Sequence, residues 1–184
     1  MVVVREMQEA DIGAVSTVRV RSWKAAYAGL VPAAYLDSMS VEADATARRG
    51  MFARSTGADD NLVAEVDGEI VGWASMGPSR DDDASAGDGE LYAIYLLPEV
   101  FGTGVGKALM QVVFSYAVKR SYARLTLWVF QDNARARGFY AASGFTADGA
   151  VEDWMAGEDA VPEVRYCVQV TPMAAPIQTA SPDR

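Results

Sequence analysis

The sequence predicts an α/β chain, in detail an α+β mixed sheet with helices on both faces, and three observations predict it. The 184 residues are 51% hydrophobic and 22% charged, enough apolar material for one buried core and too much for a disordered chain. Apolar residues change from helical spacing to strand alternation and back, in the order strand, helices, three-strand meander, then helix–strand–helix–strand–strand. Near the middle, a strand runs through alternating glycines into an amphipathic helix.

Residues 2–6 form a short valine-rich strand. Asp11 is placed to cap a helix over about 12–28, with Ile12, Val15, Val18, Trp23, Ala26 and Tyr27 roughly on one face. Gly29 ends it, Pro32 opens a short second helix, and an Ala- and Arg-rich third helix covers 41–55. Residues 62–66 and 70–76 read as strands joined by the tight turn Asp67-Gly68. The stretch 77–89 is a Gly-, Ser- and Asp-rich loop, and 90–97 is the meander's third strand. A helix over 104–120, a strand over 124–130, a helix from Asp132 or Asn133 to about Ala142 and two final strands follow. One domain over 1–170 and a flexible tail over 171–184, which carries three prolines, complete the expectation.

Composition narrows the function. Sixteen basic against 25 acidic residues leave a net charge of −9, which disfavours nucleic acid and favours cationic partners. There is no histidine and one cysteine, so histidine bases, histidine triads and the usual zinc sites are excluded, and no metal is expected. Cys167 reads as a small apolar strand residue. No run approaches a membrane span and no signal peptide is recognisable, so a cytoplasmic location is expected.

The most informative stretch is Leu96-Leu97-Pro98-Glu99-Val100-Phe101-Gly102-Thr103-Gly104-Val105-Gly106-Lys107. Glycines admit close backbone approach, and a helix start offers unpaired N–H groups, so together they can seat a phosphate. Lys107 is followed by Ala108 rather than Ser or Thr, which fails the Walker pattern, and the glycine spacing is wrong for a dinucleotide fingerprint. By itself the run is equally compatible with a plain loop.

With the rest of the chain, it resembles the Gcn5-related N-acetyltransferase (GNAT) family. That family's turn has Gln or Arg, two residues, Gly, one residue, then Gly or Ala. Gly104 and Gly106 occupy the glycine positions, while Phe101 stands in the Gln/Arg position. A second element is Asn133, then Phe139-Tyr140 and Gly144-Phe145, at the family's usual separation. The resemblance covers about 1–170 and implies acetyl-CoA as donor, without a metal. It implies that strand 90–96 splays from a parallel neighbour, 124–130, and that the pantetheine arm lies in the opening beside Tyr95 and Leu96. The diphosphate would sit on the turn formed by Phe101, Gly102, Thr103, Gly104, Val105, Gly106 and Lys107. Asn133 would bond the arm or fix a helix start, and Tyr140 would protonate the leaving thiolate.

Without histidine, Glu90 is the first choice of base, ahead of Asp88, Asp83 and Glu152. Trp23, Tyr27 and Tyr35 are candidates for lining the acceptor site. Arg21-Ser22-Trp23 and the segment 26–32 resemble a GNAT branch largely assigned to small molecules. The acids Asp81, Asp82, Asp83, Asp88 and Glu90 would enrich a cationic amine. The expected partner is a small-molecule amine such as a metabolite or antibiotic. A protein N-terminus or lysine, or a non-catalytic acyl-CoA sensor, are the rivals, and a homodimer is expected from the resemblance.

Overall fold

The computed structural model describes residues 1–170; the expected tail lies outside the described residues. The chain runs β1 (Val2–Glu6), α1 (Ile12–Ala26), α2 (Ala33–Ser38), α3 (Val41–Ala53), β2 (Asp60–Val66), β3 (Glu69–Pro78), β4 (Asp88–Leu96), α4 (Val105–Lys119), β5 (Arg124–Phe130), α5 (Ala134–Ala142), β6 (Thr146–Ala156) and β7 (Asp159–Gln169). The seven strands form one sheet in the order β1-β2-β3-β4-β5-β7-β6. All neighbours are antiparallel except β4 and β5. This is the mixed sheet that the sequence predicts.

Local chemistry explains the boundaries. Asp67 and Gly68 both take positive φ, 52° and 87°, the turn that matches the twist of a two-residue hairpin. Ser40 caps α3 by accepting from Ala43 N at 3.2 Å. Asp11 precedes α1 as expected but does not cap it with its side chain. Its carboxylate accepts from Gln8 N at 2.7 Å and from two Arg5 nitrogens at 2.6 and 2.9 Å, so a nearby guanidinium captured the capping group.

Strand alternation divides the core between two faces. Leu62, Ala64, Ala74 and Met76 meet Leu109, Val113 and Ala117 of α4 on one face. Val63 and Trp73 meet Ile12, Val15 and Val18 of α1 and Ala45 of α3 on the other. A third, aromatic cluster joins Trp23, Val31 and Leu36 to Phe130 and Val161, tying α1 and α2 to β5 and the β6–β7 hairpin. Among the described residues, no helix is long and apolar enough to cross a membrane.

The acidic loop is anchored by ion pairs to β7. Buried Arg165 donates to both Asp83 oxygens at 2.6 and 2.8 Å and to Asp148 at 2.7 Å. It also pairs with Asp81 at 3.2 Å, whose other oxygen accepts from Trp128 Nε1 at 2.8 Å. Replacing Arg165 with Leu leaves these acids uncompensated and is expected to cost about 3 kcal/mol of unfolding free energy in urea titration. A loss below about 0.5 kcal/mol would show that the loop holds without it.

Candidate active site

The site begins where a ladder stops. β4 and β5 pair only through Asp88 with Arg124, Gly89 with Leu125 and Glu90 with Thr126. Beyond Glu90 the two strands part, although β4 continues to Leu96 and β5 to Phe130. The β5-facing edge of β4 therefore carries main-chain groups with no strand beside them. The gap opens a cleft of about 390 Å³.

The glycine turn forms one end of this cleft. Phe101 N and Thr103 N bond back to Pro98 O and Val100 O, so the turn itself uses those two amides. Among the described residues, the amides of Gly102, Gly104, Val105, Gly106 and Lys107 have no protein acceptor. Gly104 has φ 94°, and a Cβ built there meets nothing within 4 Å, so there is open space beside the turn. At Gly106 a Cβ would come within 3.1 Å of Leu96 and 3.4 Å of Phe139, so glycine lets α4 start close to both walls. A helix start of this kind favours an anion.

Of the residues singled out for the donor, Tyr95, Leu96, Phe101, Gly102, Gly104, Gly106, Lys107, Asn133 and Tyr140 line the cleft. Thr103 does not; its hydroxyl donates to Val100 O at 2.7 Å. Val105 is buried and contributes only its amide. Asn133 caps α5 by accepting from Ala136 N at 3.1 Å, which leaves its NH₂ group to donate elsewhere. The departure at Phe101 brings in a residue that sequence reasoning missed. The Arg135 guanidinium lies 3.6 Å from the Phe101 ring centroid and lines the cleft. Its position two residues after Asn133 was the available signal. Ser22, Ala26, Ile94, Ala136 and Phe139, also lining residues, had no distinguishing chemistry in the sequence.

The acceptor-side candidates separate. Tyr27 lines the cleft, whereas Trp23 is buried and centres an aromatic cluster. Its ring lies 4.8 Å from Tyr27, 6.3 Å from Phe130 and 5.4 Å from Trp154. Among the described residues its Nε1 has no hydrogen-bond partner. Tyr35 packs 5.0 Å from Trp154 on the cluster's outer side. Asp83 is committed to Arg165 and lies away from the cleft.

Glu90 is buried and already partnered. Its carboxylate accepts from Arg80 N at 2.9 Å, Nε at 3.2 Å and Nη2 at 2.5 Å. That ion pair, contributed by a loop residue, occupies the Glu90 carboxylate with three donors. The carboxylate that the sequence did not single out is Glu163. Burial, then the charges of Glu152 and Glu90, push it up to about 7. A residue 73 positions from Glu90 in sequence gave no local sign of that proximity.

Three phenols face the same region. Burial raises Tyr27, Tyr95 and Tyr140 above the usual tyrosine value, and the nearby Glu163 charge raises each further. All three stay protonated at neutral pH and able to donate. Among the described residues the Tyr140 hydroxyl has no hydrogen-bond partner. Removing it in Tyr140→Phe is therefore expected to change unfolding free energy by less than about 0.5 kcal/mol. A loss above about 1 kcal/mol in urea titration would reveal a structural bond instead.

Comparison with known proteins identifies the family. Residues 23–145 match the model of the acetyltransferase (GNAT) family. An uncharacterized N-acetyltransferase of Bacillus subtilis, YuaI, is 33% identical over 138 residues, covering 72% of this chain and 74% of its own. An uncharacterized N-acetyltransferase of Mycobacterium tuberculosis is 44% identical over 88 residues, covering 48% of this chain and only 53% of its own. The crystal structure of the PaiA N-acetyltransferase from Thermoplasma acidophilum, in complex with coenzyme A, superposes with a TM-score of 0.69 at 24% identity. That superposition covers 89% of this chain and 98% of the other.

Proposed function

The chain belongs to the GNAT family of acetyltransferases, and on that footing we propose that it passes the acetyl group of acetyl-CoA directly to a small cationic primary amine. The observation that carries this reading is the early end of the β4–β5 ladder, which leaves an extended slot between a free strand edge and the glycine turn. Acetyl-CoA supplies an activated thioester on an extended amide-bearing arm, with a diphosphate at the arm's far end. The residues present fit those parts. The free amides of Gly102, Gly104, Val105, Gly106 and Lys107 suit the diphosphate, with Lys107 and Arg135 as cations at the same mouth. The open edge near Tyr95 and Leu96 suits the arm as an added strand.

Tyr140 is the proton donor in this reading. It lines the cleft, is buried, remains neutral and is not held by another protein group. A phenol near a departing thiolate is available as a donor, because it is protonated at neutral pH. A main-chain N–H near Tyr95 or Leu96 meets the charge that develops on the carbonyl oxygen. Asn133 holds the start of α5, and so the position of Tyr140 one and a half to two turns on.

The acceptor class follows from what surrounds the far end. Trp154 of β6 packs on Trp23 at 5.4 Å and Tyr35 at 5.0 Å, so the β6–β7 hairpin meets α1 and α2 across that side. The contact supports a small acceptor over a peptide laid through an open groove. Glu152 and Glu163 favour a cation there.

Calorimetry with coenzyme A and thiol-release assays with 1,5-diaminopentane, tryptamine, glycinamide and an N-terminal peptide test this function. Gly104→Asp places bulk and negative charge over the amides and is expected to weaken coenzyme A at least about tenfold, or 1.4 kcal/mol. Tyr140→Phe is expected to keep that affinity and lower transfer about 10²-fold. Unchanged affinity in the first variant would contradict the diphosphate seat. Preferred transfer to the peptide would contradict the acceptor class.

A further inference from the structure

Two strand registers place Glu163. On β7 it stands opposite Phe130 of β5 and Glu152 of β6. Side chains alternate along a strand, so Val161, Glu163 and Arg165 share one face. Val161 packs in the aromatic cluster with Trp23 and Phe130. Arg165 lies 5.7 Å from the Trp128 ring centroid. Glu163 therefore looks toward α1, on the side of the sheet where the aromatic cluster gathers.

The charged and titratable groups around it come from every neighbouring element. Its charge raises Tyr27 just after α1, Tyr95 of β4 and Tyr140 of α5, and it is itself raised by Glu90 of β4 and Glu152 of β6, its cross-strand neighbour. Arg80 stands nearby but its guanidinium is bound to Glu90. Arg165, two residues along β7, is committed to Asp81, Asp83 and Asp148. Among the described residues, Glu163 itself makes no side-chain hydrogen bond and no ion pair, although it is half-buried. Glu90 has three donors, and Glu152 is exposed. Of Glu90, Glu152 and Glu163, Glu163 is the one that is both half-buried and without a partner among the described residues.

We propose that Glu163 is the base that takes a proton from the acceptor's ammonium group before acetyl transfer. This inference rests on the reading of the cleft as an acetyl-transfer site. The proton moves from R–NH₃⁺ to the Glu163 carboxylate, leaving R–NH₂ with its electron pair free. That pair forms the C–N bond to the acetyl carbonyl carbon, and the C–S bond breaks with its electrons on sulfur. Tyr140 gives the sulfur a proton and regains one from the nitrogen that has become amide. The proton on Glu163 then leaves to solvent, so one proton is released per turnover. Its half-buried position leaves a route to water. A base titrating near the working pH balances being ionised against being strong enough to accept.

The titration is read first on the free protein, by carboxyl-carbon NMR of glutamate-labelled chain, with the Glu163 resonance assigned by its loss in Glu163→Gln. The expected midpoint is about 7; a midpoint in the ordinary range of about 4.3 overturns the proposal. The raised value also sets a sign for stability. Between about 4.5 and 7 the unfolded chain has lost this proton and the folded chain keeps it, so folding weakens as pH rises through that window. The melting temperature of the wild type should therefore fall relative to Glu163→Gln across it. In transfer assays with 1,5-diaminopentane, Glu163→Gln is expected to lower kcat about 10²-fold and remove the acid limb of kcat/KM, with Glu163→Asp recovering part of the rate. Coenzyme A affinity should stay within about twofold of wild type. Wild-type rate and an unaltered pH profile in Glu163→Gln would overturn the base while leaving the cleft's function standing. Loss of coenzyme A binding at the glycine turn in the wild type would instead strike the cleft reading itself.

Discussion

Three residue pairs join β4 to β5, and the absence of a fourth shapes everything that can happen between them. A continuous parallel ladder would fill the middle of the sheet and leave no opening. Its early end frees one edge of β4 while β3 still holds the other, so an open strand edge stands in a rigid frame. The right margin of the gap is kept apart by β7, which pairs with β5 along its whole length, from Arg124 with Gln169 to Phe130 with Glu163. α4 starts at one end of the gap, and its uncapped amides point at what enters. Tyr140, Tyr95 and Tyr27 surround the cleft's interior.

Charge is sorted along the same line. The chain carries a net −9, yet most acids near the sheet are neutralised locally. Arg5 serves Asp11 and Glu65, Arg80 serves Glu90, Arg124 serves Asp88, and Arg165 serves three aspartates. Among the described residues, charges without such a partner also stand near the site. Lys107 and Arg135 line the cleft at the turn, and Glu152 and Glu163 stand opposite each other on β6 and β7.

The sequence made the backbone of this site legible. Strand alternation, the Asp67-Gly68 turn and the glycine spacing before α4 are local signals, and each found its place in the structure. Asn133 and Tyr140 were readable because one short helix sets their spacing. What failed to show were partners brought from far along the chain. Nothing around Asp83 announces Arg165, 82 residues later, and nothing around Glu90 announces that a loop arginine will take its carboxylate. Glu163 looks in sequence like any polar position of a strand. Its desolvation and its proximity to Glu152 exist only after β7 inserts between β5 and β6. Phe101 departs from the expected side chain yet leaves the turn's amides intact and stands against Arg135.

Amide hydrogen exchange across the chain, with and without coenzyme A, probes the opening most directly. If the gap is the donor's slot, added ligand slows exchange at residues 94–96 and 102–107 together, while the outer strands β1 and β6 are unaffected. Protection confined to other segments, with both stretches unchanged at saturating ligand, would contradict the account.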